Sequence, residues 1–552
     1  MSRRPSRLEF DDFSGGIQEK QAADEFSGRQ WARLSGFVLT DSGMRSQWPI
    51  QRLGTLDDVV AVRAYEGRTT SWLLALDDQG RLWVAAAPPD EDGHQPVNAV
   101  SWQQLDTSTG GDPLVGDPSW RFVCEMPHHT EAGEWVSGLL VHAPTRWSGQ
   151  QAVVVYEQNG TLVADAFTEF YPSAVTVEEG ENEGTVEVAD GVYPRAAVGT
   201  MWRSYLVLGD IEWLDTKQVP EKPDDAGLSE STTVRYRNGL WISEPGATDK
   251  FNPLGVIHID IGPPGTKVVA LEEIDDNLLV FLADSAGRSG IVELRGVPSA
   301  PTRSLLRGGL GLPRVLTTTD EYRKPVAYWG STGAVAFVAD EGGVWHTNGG
   351  EVLWIDQVGP ETPSRAFGHD HVETLGPYLF ASRRNRWLCF RRFVEDGSWT
   401  ELVAPYGTSE PVVSMSSQRS NVYFVQGGEV YRIAQGAPDS ERGCVDGVPL
   451  RLEVGTQTLG EPRSHERKWF HRFAVRASGG TVVDVEFLAG PVLYDQKPPS
   501  MLVELNRPIP ERDELVLQGP GPMLEGSALI GLEGDVAVEK VTWWVTGLKA
   551  SR

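Results

Sequence analysis

Three scarcities bound what this chain can be. Cysteine is rare: Cys124, Cys389 and Cys444 are an odd number with no paired spacing among 552 residues. That excludes a disulfide framework and a thiolate zinc site, and it fits a protein made in a reducing cytoplasm. No run of about 18 apolar residues occurs, so no membrane-spanning segment is expected. The opening MSRRPSRLEFDDFSGG is basic but has no apolar stretch behind it, so it does not read as a secretory signal. Positive charge is outweighed, with 49 Lys and Arg against 77 Asp and Glu for a formal net charge of −28. A surface of that sign repels phosphate and speaks against tight or sequence-specific nucleic-acid binding. Helical periodicity is sparse as well, with 21–34 as its best stretch.

What is abundant is Gly (60), Pro (36) and Trp (19), a composition for short strands, tight turns and large aromatics between sheets. One pattern recurs: an alternating apolar run, a turn that usually bears glycine, and a second alternating run. It is found at 72–86 around Gln79-Gly80, 152–167 around Asn159-Gly160, 234–243 around Asn238-Gly239, 334–347 around Gly342-Gly343 and 421–433 around Gly427-Gly428. The segment 379–393 has the same form without the glycine. Units too small to bury their own apolar face must stack, and this spacing predicts an all-β fold. We read it as a β-propeller of about six to eight blades over 51–440. Acidic insertions fall near 175–191, read as a projecting hairpin, and 215–233, read as a mobile loop. Residues 1–50 read as an N-terminal arm with the first strands. After 436–447 the strand spacing shortens, and 448–552 reads as an additional C-terminal β-sandwich.

Motifs of chemistry are weak throughout. The stretch 260–269 resembles a phosphate loop, but the order is Gly265-Thr266-Lys267 and strands follow it, so a tight turn is expected. His369 and His371 would share one strand face and could chelate a metal, yet no third ligand is evident. Asp90-Glu91-Asp92-Gly93 lacks the alternating oxygen ligands of a calcium loop. The segment 394–402 faintly resembles an Asp-box turn but does not recur, acidic residues are too many to single out a glycosidase pair, and no G-x-S-x-G elbow is found. No catalytic, cofactor-binding or metal-binding residue is therefore assigned, no cofactor is expected, and the chain reads as not an enzyme. Trp31, Trp48 and Trp213 read equally well as contact or core residues.

Several segments, taken in order, resemble one group of proteins. They are FDDFSGGIQEK and its continuation to Gly54, RNGLWISEPGATDKFN at 237–252, ALEEIDDNLLVFLAD at 270–284, RGGLGLPRVL at 307–316, VAFVADEGGVWHTNGG at 335–350 and TQTLGEPRSHERKWFHRFAVRASGG at 456–480. The group is the tail nozzle (tail tubular protein B type) β-propeller proteins of short-tailed phages. The resemblance implies a structural virion protein of the tail, made in the host cytoplasm. It implies copies arranged in a ring, expected to be a hexamer, contacts with adjacent tail adaptor and tail fibre proteins, and genomic DNA passing non-specifically through the channel during ejection. An acidic lumen would suit that passage, since negative walls avoid the counterion-release attraction that holds DNA on basic surfaces. The expected contact surfaces are 8–36, the two acidic insertions and the sandwich. The alternatives are another tail-tip or host-binding propeller, or a propeller glycosidase or lectin marked by clustered arginines and carboxylates at the hub.

Overall fold

A computed structural model describes residues 5–11, 31–41, 43–88, 100–106, 120–130, 132–142, 152–166, 175–177, 184–186, 195–217, 230–246, 259–260, 266–284, 289–306, 326–338, 344–355, 371–383, 386–392, 397–407, 409–456, 459, 468–490, 498–509 and 514–546. The protein is all-β. Six consecutive meanders of four strands each form a blade, opening with Val59–Glu66, Arg121–His129, Arg195–Trp202, Thr266–Ile274, Val326–Trp329 and His371–Leu375. A seventh begins at Val412–Gln418 and continues through Asn421–Gln426 and Glu429–Ala434. Its fourth strand is Ile50–Arg52, from the other end of the chain, which pairs antiparallel with Glu429–Ala434. Seven blades fall inside the expected range of six to eight.

Each seam between blades is filled by its own apolar cluster, as radial stacking demands. Tyr65, Leu74, Leu139 and Val153 join blades 1 and 2, and Trp202, Val207, Leu278 and Val280 join blades 3 and 4. The ring closes where Val62, Leu73, Tyr423 and Val425 pack blade 7 on blade 1. There the buried hydroxyls of Ser414 and Ser416 accept the backbone N–H groups of Val62 (3.1 Å) and Ala64 (3.0 Å). Three seams also share a stitch. An aromatic at or near the end of a first strand donates to the next blade: Tyr65 Oη to Ser137 O (2.5 Å), Trp202 Nε1 to Asp276 O (2.8 Å) and Trp329 Nε1 to Gly376 O (2.9 Å).

A carboxylate reinforces the first seam. Glu157 of blade 2 accepts the Thr69 N–H at 2.9 Å, the Thr69 hydroxyl and the Thr70 N–H, in the turn between the first two strands of blade 1. Burial pushes its carboxyl up, but donation from Thr69 and Thr70 outweighs burial and holds it below the ordinary value. A depressed folded value stabilises the native state above the ordinary carboxylate range, and the contribution is lost as pH falls through that depressed value. Glu157→Gln is expected to flatten the acid limb of the melting temperature against pH, whereas an unchanged limb would remove Glu157 from the acid response.

The hairpins at Asn159-Gly160 and Gly427-Gly428 turn as read, with all four residues at positive φ as a type I′ turn needs. Asn238-Gly239 does not turn. It lies inside the long strand Glu230–Ile242, where the register against Tyr205–Lys217 shifts between Gly209 and Ile211, making a bulge. The insertion read as a mobile loop at 215–233 is partly strand: those two strands pair out to Lys217 and Glu230, and 218–229 lie outside the described residues. The 175–191 insertion contains the two-stranded hairpin Val175–Val177 with Gly184–Val186, joined to no other sheet among the described residues.

The expected separation of an arm (1–50) from an independent sandwich (448–552) is replaced by interleaving. One sandwich sheet holds Phe37–Thr40, Gly43–Ser46, Ala537–Thr546, Lys468–Ser478 and Glu514–Met523, with Ser6–Phe10 also paired to Ala537–Thr546. The other begins with Arg33–Ser35, which lies parallel to blade 6's outer strand Gly397–Leu402 and antiparallel to Arg451–Gly455, then continues through Ser527–Glu533 and Thr481–Leu488 to Ser500–Pro508. Blade 6 and this half of the sandwich are therefore one nine-stranded sheet. The two sheets enclose Trp31, Phe37, Phe470, Phe473, Phe487 and Trp543. The Gln47 side-chain amide bonds both Val403 O (2.9 Å) and Val403 N–H (2.8 Å), and Tyr378 Oη and Arg391 Nη1 each donate to Leu39 O at 2.9 Å. Among the described residues no helix is long and apolar enough to cross a membrane.

Candidate functional site: the hub and the junction cleft

First strands line the hub because each blade is a meander that starts inside. They surround a cavity of about 540 Å³. Its polar wall includes Arg63, Arg121, Glu125, Glu272, Glu273 and Tyr328. Burial pushes the Glu273 carboxyl up against donation from the Arg203 N–H, with repulsion from Asp276 adding to burial. Glu272 and Glu273 are consecutive on a strand, so their side chains diverge and do not form a facing pair. Burial drives the Cys124 thiol up to about 12, which keeps it protonated and without nucleophilic character. The hub offers charged and hydroxyl groups for polar contacts, and the thiol that lines it is not an activated nucleophile.

A second cleft, about 240 Å³, lies at the junction of blades 6 and 7 with the sandwich. Its charges are matched in place: Arg386 with Glu401 (3.2 Å), Arg33 with Glu453 (2.9 Å) and Arg451 with both Glu453 (3.3 Å) and Asp484 (2.6 Å). Arg451 reaches Asp484 across the intervening strand at Gly531, where an added Cβ would stand 2.7 Å from Asp484 Oδ1 and 2.9 Å from Arg451 Nη2. The cleft is lined by ion pairs internal to blade 6 (Arg386 with Glu401) and internal to the sandwich (Arg33, Arg451, Glu453 and Asp484).

The residues weighed from sequence are not brought together. Thr266 and Lys267 open the first strand of blade 4, as a turn followed by a strand requires, and Gly265 lies outside the described residues. His371 is buried on the first strand of blade 6, while His369, Asp370 and 90–93 lie outside the described residues. The part of 394–402 that is described, Gly397–Leu402, is blade 6's outer strand. Trp31 and Trp48 are core residues; the side chain of Trp213 lies outside the described set. All three cysteines are free.

Sequence reading missed the hub arginines, because alternation tells which face a residue takes but not which strand is innermost. It also missed Asp77, 1% exposed at its side chain, which accepts the Gln79 and Arg81 N–H groups, Arg81 Nε and Trp83 Nε1. The spacing Asp77-x-x-Gly80-x-x-Trp83 was the available signal. So was the repeated Trp-x-Ser at Trp202-Arg203-Ser204 and Trp329-Gly330-Ser331, which marks two of the stitched seams.

No protein-family model and no curated protein matches the chain. A solved structure similar to it is the crystal structure of BBS1N in complex with ARL6DN, soaked with lead. The two are 12% identical with a TM-score of 0.35, and the match covers 73% of this chain and 99% of that one.

Proposed function

We propose that the chain is a structural component of a bacteriophage tail, a nozzle protein whose copies form a ring, in the expected case of six, through which DNA leaves the particle. In this role it is not an enzyme and takes no cofactor or metal. It works in the virion beside tail adaptor and fibre proteins. The observation that carries the reading is the interleaving of propeller and sandwich by Arg33–Ser35 and Ile50–Arg52. It joins the opening element, the propeller and the strand pair after it, the same segments on which the resemblance rests, into one body suited to bearing load. The hub is not the conduit. It is a space of about 540 Å³ lined by the side chains of a single copy, whereas a ring of copies encloses its channel between them. The DNA path therefore runs between copies, and part of the −28 charge faces it, keeping the duplex from sticking.

Imaging the purified full chain, and the same protein in its native particle, tests this. A ring at the distal tail with an acidic lumen is the expected result; a persistent monomer, or a ring with a basic lumen, would sink it. A second reading, a propeller lectin or glycosidase, draws on Arg63 and Arg121 beside carboxylates in the hub. It requires that an acidic sugar raise the melting temperature and that Arg63→Ala abolish the rise.

A further inference from the structure

Edge strands present unpaired N–H and C=O groups, and proteins blunt them with proline, charge or cover unless something pairs with them. Two of the sandwich's edge strands differ in this respect. Glu514–Met523 carries Pro520 and Pro522. Ser500–Pro508, the edge of the nine-stranded sheet, has no proline before Pro508 and no strand on its outer side among the described residues. The Ala489 N–H donates to Pro499 O at 2.9 Å, and in the same register Leu488 pairs with Ser500, Glu486 with Leu502 and Asp484 with Glu504. Bonded and non-bonded pairs alternate in an antiparallel ladder. Residues 499, 501 and 503 are thus bonded inward, and the backbone groups of Ser500, Leu502 and Glu504 point outward. Leu502 is 53% exposed.

A complementary edge lies on the same chain. The outer strand of blade 4, Thr302–Leu306, is the last of its sheet and is exposed at its first four positions, with Leu305 52% exposed. Laid antiparallel against Ser500–Pro508, one register sets Leu502 opposite Leu305 and Glu504 opposite Arg303, apolar on apolar and acid on base. Directly opposed residues share a face, so both pairs meet side chain to side chain. Symmetric pairing of Ser500–Pro508 with its own copy about Leu502 would instead set Glu504 opposite Ser500, with no cation.

We propose that the sandwich edge Ser500–Pro508 of one copy adds as a strand to blade 4's outer strand Thr302–Leu306 of the next. The inference rests on the self-assembly part of the proposed function and names its contact. Two different surfaces meet, so the contact is heterologous and closes into a ring or runs on as a filament. The sandwich edge continues the sheet of blade 6 and its proposed partner ends the sheet of blade 4, so the two surfaces belong to different blades.

The test uses the full-length chain with Cys444→Ser, which removes the half-buried thiol. Leu502→Cys together with Leu305→Cys is expected to give a reducible covalent ladder under mild oxidation, since opposed Cα atoms about 5.5 Å apart suit a disulfide. Each single variant should give none. Glu504→Arg should raise the concentration needed for assembly severalfold, and adding Arg303→Glu should restore it. Mass photometry and imaging separate the two claims. Linked closed rings uphold both; linked open filaments uphold this contact and overturn the ring. Rings that never link overturn this contact alone, and monomers throughout overturn both. Linking by Leu502→Cys alone overturns the heterologous contact in favour of symmetric pairing.

Discussion

Deleting residues 1–54 is expected to abolish cooperative folding of the whole chain, not merely to shorten its start. The deletion removes Ile50–Arg52, which is flanked on both sides in its sheet, antiparallel to Glu429–Ala434 and in register with Val445. Ile50 is fully buried in the cluster of blades 6 and 7, and the Gln51 side chain accepts from Arg432 Nε at 2.8 Å; Arg432 is only 1% exposed. Losing that acceptor removes one of the hydrogen bonds that compensate a buried cation, a costly loss in a core. The same deletion takes Arg33–Ser35, Phe37–Thr40 and Gly43–Ser46 out of the sandwich, opening its core at Trp31 and Phe37. Thermal unfolding by near-ultraviolet circular dichroism and limited proteolysis would read the result. A deletion product that melts as one sharp transition near the full chain's temperature would show that the seventh blade closes without its borrowed strand.

Trp202→Ala is expected to destabilise the protein by about 3–5 kcal/mol, the usual cost of truncating a buried tryptophan. Trp202 is fully buried, packs with Val207 and Leu278 across the seam of blades 3 and 4, and donates Nε1 to Asp276 O at 2.8 Å. Trp202→Phe keeps most of the packing and loses the bond, so its cost should be smaller, about 1–3 kcal/mol for a buried carbonyl and a small void. Denaturant midpoints for the two variants separate packing from hydrogen bonding. Equal losses would mean that the stitch, not the ring, holds this seam.

The hairpins were legible because a type I′ turn is a local event. Asn159-Gly160 and Gly427-Gly428 accept positive φ at little steric cost, and the flanking alternation does the rest. Asn238-Gly239 carries the same local signal and yet lies in a bulge, because the pairing of Tyr205–Lys217 with Glu230–Ile242 continues past it. The hub was legible only as an inevitable consequence of blades. Which residues face it, Arg63 and Arg121 among them, follows from which strand of each meander is innermost, and alternation is blind to that order. The junction ion pairs were not legible at all, since Arg451 meets Asp484 only by passing over Gly531 on a strand between them.

By itself, the amino-acid order determined the all-β class, turns such as Asn159-Gly160 and Gly427-Gly428, and the stacking of small two-faced units around a hub. Short-range geometry and the period of two suffice for those, because each is written within a dozen residues. Only the tertiary structure decided that the chain starts in the sandwich, leaves for seven blades and returns, with Ile50–Arg52 and Arg33–Ser35 set between strands from its far end. A strand's pattern states which of its faces must be buried, while its backbone groups will bond to any suitable edge. The choice among edges belongs to the packing of the whole.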